Sequence, residues 1–383
     1  MNYPHIIFRR NWEISHSTYF LLGQIQAIIE SISNFPLDPN YHRKLLNISL
    51  IKGAQATTAI EGNTLTEEEI KKVNEGKSLP ASKEYQEIEV KNVIDAYNKI
   101  LDDLIVSNND NLITPKLIKE FHRMIGQNLG DHFNALPGSY RNHLVSVGTY
   151  RPPDNKDIPE LLEKLCEWLR KEFNYESRKQ SMIDTIVEAI VAHVYIEWIH
   201  PFGDGNGRTG RLVEFYVLLR AGIPDIASHI LSNFYNQTRV EYYRQLQLAN
   251  DERSLSKFIN YALMGLLDGL RSTLETLQES YYELAWKKFI YDRFAEKKYN
   301  KKEVYKRRRR VILNLPLGEK KSIEHIQLLT PEIAATYAKL NKRTLQRDLD
   351  DLMEMDLVNQ HPDKTYSPND SLLKGQKAQR RKF

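Results

Sequence analysis

The chain carries a single cysteine, Cys166, in 383 residues, which excludes an internal disulfide and fits a reducing, cytoplasmic setting. No uninterrupted apolar run approaches the length of a membrane span, and no membrane partner is expected. Met1 to Arg10 lack the apolar stretch of a secretory signal. With cysteine partners missing and no HExxH present, no zinc pattern is found. Glycine (17) and proline (15) are sparse, and with long, polar-punctuated apolar runs this argues for a mainly α fold. Charge of one sign is not in excess either. The formal balance of +4 is too small to imply nucleic-acid binding by itself.

What is present is helical punctuation. Thr18 to Gly62 reads as two helices broken at Pro36 to Pro39, and Thr66 to Glu69 has the form of a capping box. Ser82 to Val106 has helical apolar spacing, and Thr114-Pro115 opens a further helix. The β signal lies at His143 to Tyr150, whose alternation predicts a short hairpin or flap before Arg151-Pro152-Pro153. Ile158 to Phe173, Met182 to Trp198 and Arg208 to Ala221 read as helices, and Leu255 to Tyr305 as a long helical region that becomes basic. At this length two or three domains are expected.

The chemistry concentrates in His200-Pro201-Phe202-Gly203-Asp204-Gly205-Asn206-Gly207-Arg208-Thr209-Gly210-Arg211. Gly203, Gly205 and Gly207 allow a tight turn that can approach a ligand closely. The loop opens into a helix, so its free N–H groups and dipole form an anion site. Arg208 and Arg211 supply forked donors suited to phosphates. Asp204 is a hard oxygen ligand of the kind that holds Mg²⁺. His200 is suited to accept a proton near neutrality. Each feature alone is ordinary; together in twelve residues they read as a nucleotide site.

This segment resembles the active-site motif of the Fic (filamentation induced by cyclic AMP) family, HxFx(D/E)GNGRxxR, and the likeness extends from about Leu50 to Leu267. The resemblance implies a Fic-type helical bundle with a short β-hairpin flap. It implies a protein adenylyltransferase that moves AMP from ATP, with Mg²⁺, to a Ser, Thr or Tyr hydroxyl of a target protein or of itself. By position it makes His200 the base and Asp204 the metal ligand. Gly205, Asn206 and Gly207 become the anion hole, and Arg208 and Arg211 the β- and γ-phosphate binders, while Phe202 anchors the loop. Tyr242 or Tyr243 is a candidate to stack on adenine and Asn250 to bond its edge, although both tyrosines also read as packing residues. Leu144, Val145, Ser146, Val147 and Gly148 fall where the family's target-docking flap lies, and a purely structural hairpin is the other reading. Thr57 to Gly62 resembles the family's inhibitory pattern, (S/T)xxxE(G/N), which pairs Glu61 with Arg211; Thr57 and Glu61, four apart, share a helix face.

The resulting organisation is 1–100, a helical region with the inhibitory helix; 101–275, the Fic catalytic domain; 276–310, a basic helical linker; 311–370, a small winged helix-turn-helix domain; and 371–383, a basic tail. In the small domain Thr344, Arg347, Arg343 and Lys342 would face a nucleic acid and Arg307 to Arg310 its phosphates. Asp348, Asp350, Asp351 and Glu354 on the same helix weigh toward a protein partner instead. Family members often dimerise, so a homodimer is a further expectation. His193 reads as a packed histidine, and His122 is given no catalytic role. Two alternatives stand beside transfer: a nucleotide-sensing regulator acting through the C-terminal domain, and removal of AMP by the same site.

Overall fold

The computed structural model describes residues 3–107, 112–173, 181–297, 302–341 and 343–373. The basic tail from Lys374 onward and Lys342 lie outside the described residues. The chain divides into two compact units, Met1–Leu274 and Glu275–Phe383.

The first unit is helical. Its elements are α1 (His16–Ser33), α2 (Pro39–Ile60), α3 (Glu67–Asn74), α4 (Glu84–Leu101), α5 (Pro115–Gly126), α6 (Ile158–Glu172), α7 (Met182–Ile199), α8 (Asn206–Arg220), α9 (Ile230–Gln237), α10 (Arg239–Glu252) and the start of α11 (Ser256–Glu296). Local chemistry sets several of these boundaries. Asp38 caps α2 through the amides of Asn40 and Tyr41, with Pro39 at the first helical position. Thr66 and Glu69 close a reciprocal capping box on α3. Thr114 and Ser181 cap α5 and α7 by accepting from the amides of Leu117 and Asp184.

Helix α7 is buried on every side from Thr185 to Ile196, as an all-round apolar helix requires. Helix α8 packs along it and also meets α5, α2 and α4. Ahead of α1, an extended N-terminal segment lies on this bundle: Trp12 stacks on Phe173 and meets Trp168 edge-on, and Phe8 packs on Tyr195. No helix among the described residues is long and apolar enough to cross a membrane.

The expected flap hairpin is not a sheet. Residues 144–149 form an exposed loop closed by one antiparallel bridge, Val147 to Tyr150, around Gly148 in the left-handed region (φ 56°). The alternation is there, but a lone bridge without a partner strand leaves most of the loop's main-chain groups to solvent.

The second unit contains the end of α11, then α12 (Lys302–Asn314), α13 (Ile323–Gln327), α14 (Pro331–Ala338), α15 (Arg343–Glu354), and strands β1 (Val358–Gln360) and β2 (Tyr366–Pro368). The strands pair antiparallel, with Val358 opposite Pro368 and Gln360 opposite Tyr366, and Lys321 bridges Tyr366 on the far side. The stretch read as a basic linker contributes Trp286, Ile290 and Phe294 to this unit's core, beside Ile333, Leu349 and Leu352.

Its basic run is largely paired within the unit. Asp348, 1% exposed, accepts from Arg307 (2.6 and 2.9 Å), Arg308 (2.7 Å) and the Tyr337 hydroxyl (2.8 Å). Arg309 lies over the rings of Tyr305 and Tyr291. Burial pushes the Asp348 carboxyl up, but its hydrogen bonds from the two arginines outweigh that and hold it below its ordinary value.

Asp348→Ala is therefore expected to destabilise the second unit by about 3 kcal/mol, the penalty of stranding partly buried guanidinium groups. Chemical denaturation followed by tryptophan fluorescence, which includes Trp286, measures it; an unchanged midpoint for that unit would contradict this account.

Candidate active site

Helix α7 ends at His200, which adopts a left-handed conformation (φ 48°), and α8 begins after Gly205, also left-handed (φ 76°). The loop between them is closed by Asn206. Phe202 N donates to Asn206 Oδ1 and Asn206 Nδ2 donates to Phe202 O, both at 2.9 Å. The Phe202 ring is fully buried and stacks on His122, with centroids 3.6 Å apart and planes within 3°.

Gly138 N donates to His122 Nδ1 (2.9 Å), so the hydrogen is assigned to Nε2, which donates to Asp204 O (3.0 Å). Burial pulls the His122 pKa down to about 4. His122 is therefore a neutral prop under the loop.

The first amides of α8, those of Asn206, Gly207 and Arg208, have no carbonyl one turn back within the helix. They form the anion-facing end of the helix dipole. Added side chains would meet their neighbours here. A Cβ on Gly207 would strike Glu61 Oε1 and the Arg211 guanidinium, and one on Gly203 would stand 2.6 Å from Asn134 O.

Both arginines of the segment are engaged. Arg208 bridges Glu89 Oε1 and Asp204 Oδ1, the latter at 2.8 Å, and its guanidinium lies over Phe133. Glu89 in turn accepts from Asn63 Nδ2 (2.8 Å), and burial raises its pKa despite Arg208. Arg211, 1% exposed, donates to Thr57 Oγ1 (2.8 Å), Thr57 O (3.0 Å) and Glu61 Oε1 (2.6 Å). For Glu61, burial works to raise the pKa, but Arg211 and then Arg208 pull harder and leave it lowered. Asp204 keeps its side chain about a quarter exposed (28%), with Oδ2 3.3 Å from Asn134 N.

His200 faces this cluster. Its Nδ1 lies 3.4 Å from Glu197 O, which favours the tautomer with hydrogen on Nδ1 and the lone pair on Nε2. Burial draws its pKa down to about 4, so at neutral pH the imidazole is uncharged and able to accept a proton.

Among the other sequence-derived residues, Tyr243 is half-exposed beside the end of α2: its hydroxyl donates to Ile60 O (3.3 Å) and Arg239 lies over its ring. Tyr242 does not share that position, which corrects its reading as an adenine-stacking residue. Its ring is 1% exposed, is stacked on Tyr235, and its hydroxyl is bonded to His193 Nε2 (3.0 Å). A side chain locked inside the core has no face to offer a ligand. Asn250 is partly buried on α10. In the flap Leu144, Ser146, Val147 and Gly148 are exposed and Val145 half-buried.

Sequence reasoning missed Glu89, Asn63 and Arg141. Glu89 had a signal: a carboxylate between Ile88 and Val90 on the apolar face of a helix breaks the pattern and needs a partner. Arg141 and Asn63 sit in non-periodic stretches where no such mismatch exists.

The Fic/DOC family model matches residues 112–218 of this chain. The chain is 33% identical over 205 residues to the protein adenylyltransferase Fic of Culex quinquefasciatus, covering 53% of this chain and 38% of that protein. It is 31% identical over 205 residues to protein adenylyltransferase fic-1 of Caenorhabditis elegans, covering 54% and 37%. The chain thus spans less than half the length of these curated relatives. Among solved structures, a Fic family protein from Desulfovibrio desulfuricans superposes with TM-score 0.56 at 21% identity over 97% of this chain and all of that one. C. elegans Fic-1 gives 0.56 at 24% over 68% of this chain and 73% of that one. These two likenesses concern the fold.

The lowered Glu61 pKa fixes the sign of a pH effect. A carboxylate depressed on folding contributes stability that is present above its ordinary value of 4.5 and is lost as pH falls through the folded pKa. Wild type is expected to melt above Glu61→Gln at neutral pH, and the gap to close below pH 4.5. Paired thermal melts across that range check this; a gap independent of pH would refute the ion pair.

Proposed function

Taking residues 112–218 as a Fic/DOC domain, we propose that this protein transfers AMP from Mg·ATP to a serine, threonine or tyrosine hydroxyl of a protein, itself included, and that Glu61 restrains the reaction. The observation that carries the reading is one junction where a neutral, largely buried His200 meets the open first turn of α8 and Arg211 is taken up by Thr57 and Glu61. Relatives named protein adenylyltransferase support it.

In the transfer the acceptor oxygen forms a bond to the α-phosphorus, the bond to the bridging oxygen breaks, and pyrophosphate leaves. His200 Nε2 takes the acceptor's proton. The rest of the site contributes position and charge neutralisation. The amides of Asn206 and Gly207 face the α- and β-phosphates, Arg208 the β-phosphate and Arg211 the γ-phosphate. Tyr243 and Asn250 line the adenine side, and the flap from Leu144 to Gly148 receives the target.

The donor set fits Mg²⁺. Asp204 offers a partly exposed carboxylate whose Oδ2 is met only loosely by Asn134 N. No cluster of three or more metal-binding side chains occurs among the described residues, so nucleotide and water oxygens would complete the shell. Bound there, the ion would neutralise charge on the phosphates.

The geometry of Arg211 supports the brake. With its donors on Thr57 Oγ1, Thr57 O and Glu61 Oε1, Arg211 is not free to receive a γ-phosphate, and the Glu61 carboxylate repels one. For the second unit, a protein partner is favoured over DNA: Arg307 and Arg308 are neutralised by Asp348 and Asp351, and Arg343 and Arg347 share the exposed face of α15 with Asp350 and Glu354.

Wild type, Glu61→Gly and His200→Ala are incubated with Mg·ATP and cell lysate, and AMP additions on protein are read by mass spectrometry. Glu61→Gly is expected to gain about tenfold or more, and His200→Ala in that background to lose about 10²- to 10⁴-fold. Absence of labelling from every variant, despite nucleotide binding, would overturn transfer and leave nucleotide sensing or AMP removal.

A further inference from the structure

Arg141, at the entry to the flap, is 5% exposed, and its guanidinium is answered by main-chain carbonyls. Nε donates to His200 O (2.8 Å), Nη1 to His143 O (2.8 Å) and Nη2 to Pro153 O (2.5 Å). Its own amide donates to Pro201 O (3.0 Å). Burying a guanidinium on neutral acceptors is costly, and the nearby Asp154 charge offsets the lost hydration only in part. The planar fork is what makes three separate acceptors reachable at once, and a lysine ammonium could not span them.

The three carbonyls belong to the two feet of the flap, His143 and Pro153, and to the residue that carries the proposed base. His200 is also backbone-strained: a non-glycine residue at φ 48° persists only where its surroundings over-determine it. Arg141 holds both sides of that residue's peptide junction, through His200 O and Pro201 O. A second tie acts in the same sense. The Tyr150 hydroxyl, at the end of the flap's single bridge, donates to Trp198 O (2.5 Å) and meets His5 Nε2 (2.8 Å). Between these anchors the flap has one bridge and exposed apolar side chains, with Leu144 70% exposed. Its placement therefore depends on its feet.

We propose that Arg141 is a positioning residue that sets the register of the flap against His200, so that a hydroxyl presented by a segment docked on the flap arrives at Nε2 of that imidazole. This rests on the adenylyltransferase reading for its consequence, but its structural part can be read without any turnover. A segment added along the flap would be aligned by main-chain hydrogen bonds, and an error of about 1 Å in its register costs about 10²-fold in rate.

The test uses the full chain in the Glu61→Gly background, with Arg141→Ala and Arg141→Lys. Three quantities are measured: amide hydrogen exchange over 143–153, Mg·ATP affinity by calorimetry, and AMP transfer as a function of acceptor concentration. Exchange at the bridged amides of Val147 and Tyr150 is expected to rise about tenfold or more in Arg141→Ala, with α8 unchanged. ATP affinity should hold within about twofold while transfer falls by about tenfold or more, with Arg141→Lys recovering only part of the loss. Unchanged flap exchange would overturn the proposal. So would equal losses of ATP affinity and transfer in both variants with a lowered melting temperature, because that pattern marks a merely structural role. If the Glu61→Gly parent transfers no AMP, the function reading fails, and the exchange measurement alone decides whether Arg141 fixes the flap.

Discussion

A nearly buried guanidinium must find acceptors or lose several kcal/mol of hydration, and in this protein Arg211 finds them on α2. Thr57 supplies a hydroxyl and a carbonyl and Glu61 a carboxylate. That one demand docks the C-terminal turn of α2 onto the first turn of α8, at the place where α8's free amides point. Gly207 is part of the same constraint, since any side chain there would occupy the space of the Glu61–Arg211 contact. The contact that secures the fold locally is thus also the contact that occupies the phosphate side of the site.

A parallel chain runs beside it. Asn63, two residues beyond Glu61, holds Glu89, which holds Arg208, which holds Asp204. The turn after α2 is therefore linked to both arginines of the loop–helix segment. Charged groups in this region meet opposite charges or main-chain dipoles, while the two histidines that flank the loop are kept neutral by burial. Low dielectric strengthens the ion pairs and disfavours imidazolium at once. One environment thereby produces a fixed electrostatic cradle and a side chain able to take a proton.

The second unit applies the same rule differently. Its basic run would be free for phosphates only if unpaired, yet Asp348 sits beneath it and collects Arg307, Arg308 and Tyr337. Part of the positive charge that looks like a nucleic-acid footprint in the sequence, that of Arg307 and Arg308, is taken up as internal structure.

Helices with local start signals follow from neighbouring residues alone: Asp38-Pro39, Thr66 with Glu69, Thr114-Pro115 and Ser181 act within a turn of themselves. The loop from His200 to Arg211 is legible in the same way, because turn glycines, a following helix and forked donors are all local in the chain. The Thr57–Glu61 face was legible because four residues make a helical turn, although its docking onto Arg211 came only from a family likeness. Which of two adjacent tyrosines faces outward depends on packing between helices far apart in the chain. Tyr242 and Tyr243 are alike in chemistry, and the neighbours Tyr235 and His193 that bury one of them come from other helices. Arg141 and Asn63 were invisible for the same reason. Their partners are carbonyls and carboxylates brought together from distant stretches of chain, and a main-chain carbonyl leaves no trace in the identity of the residue that bears it.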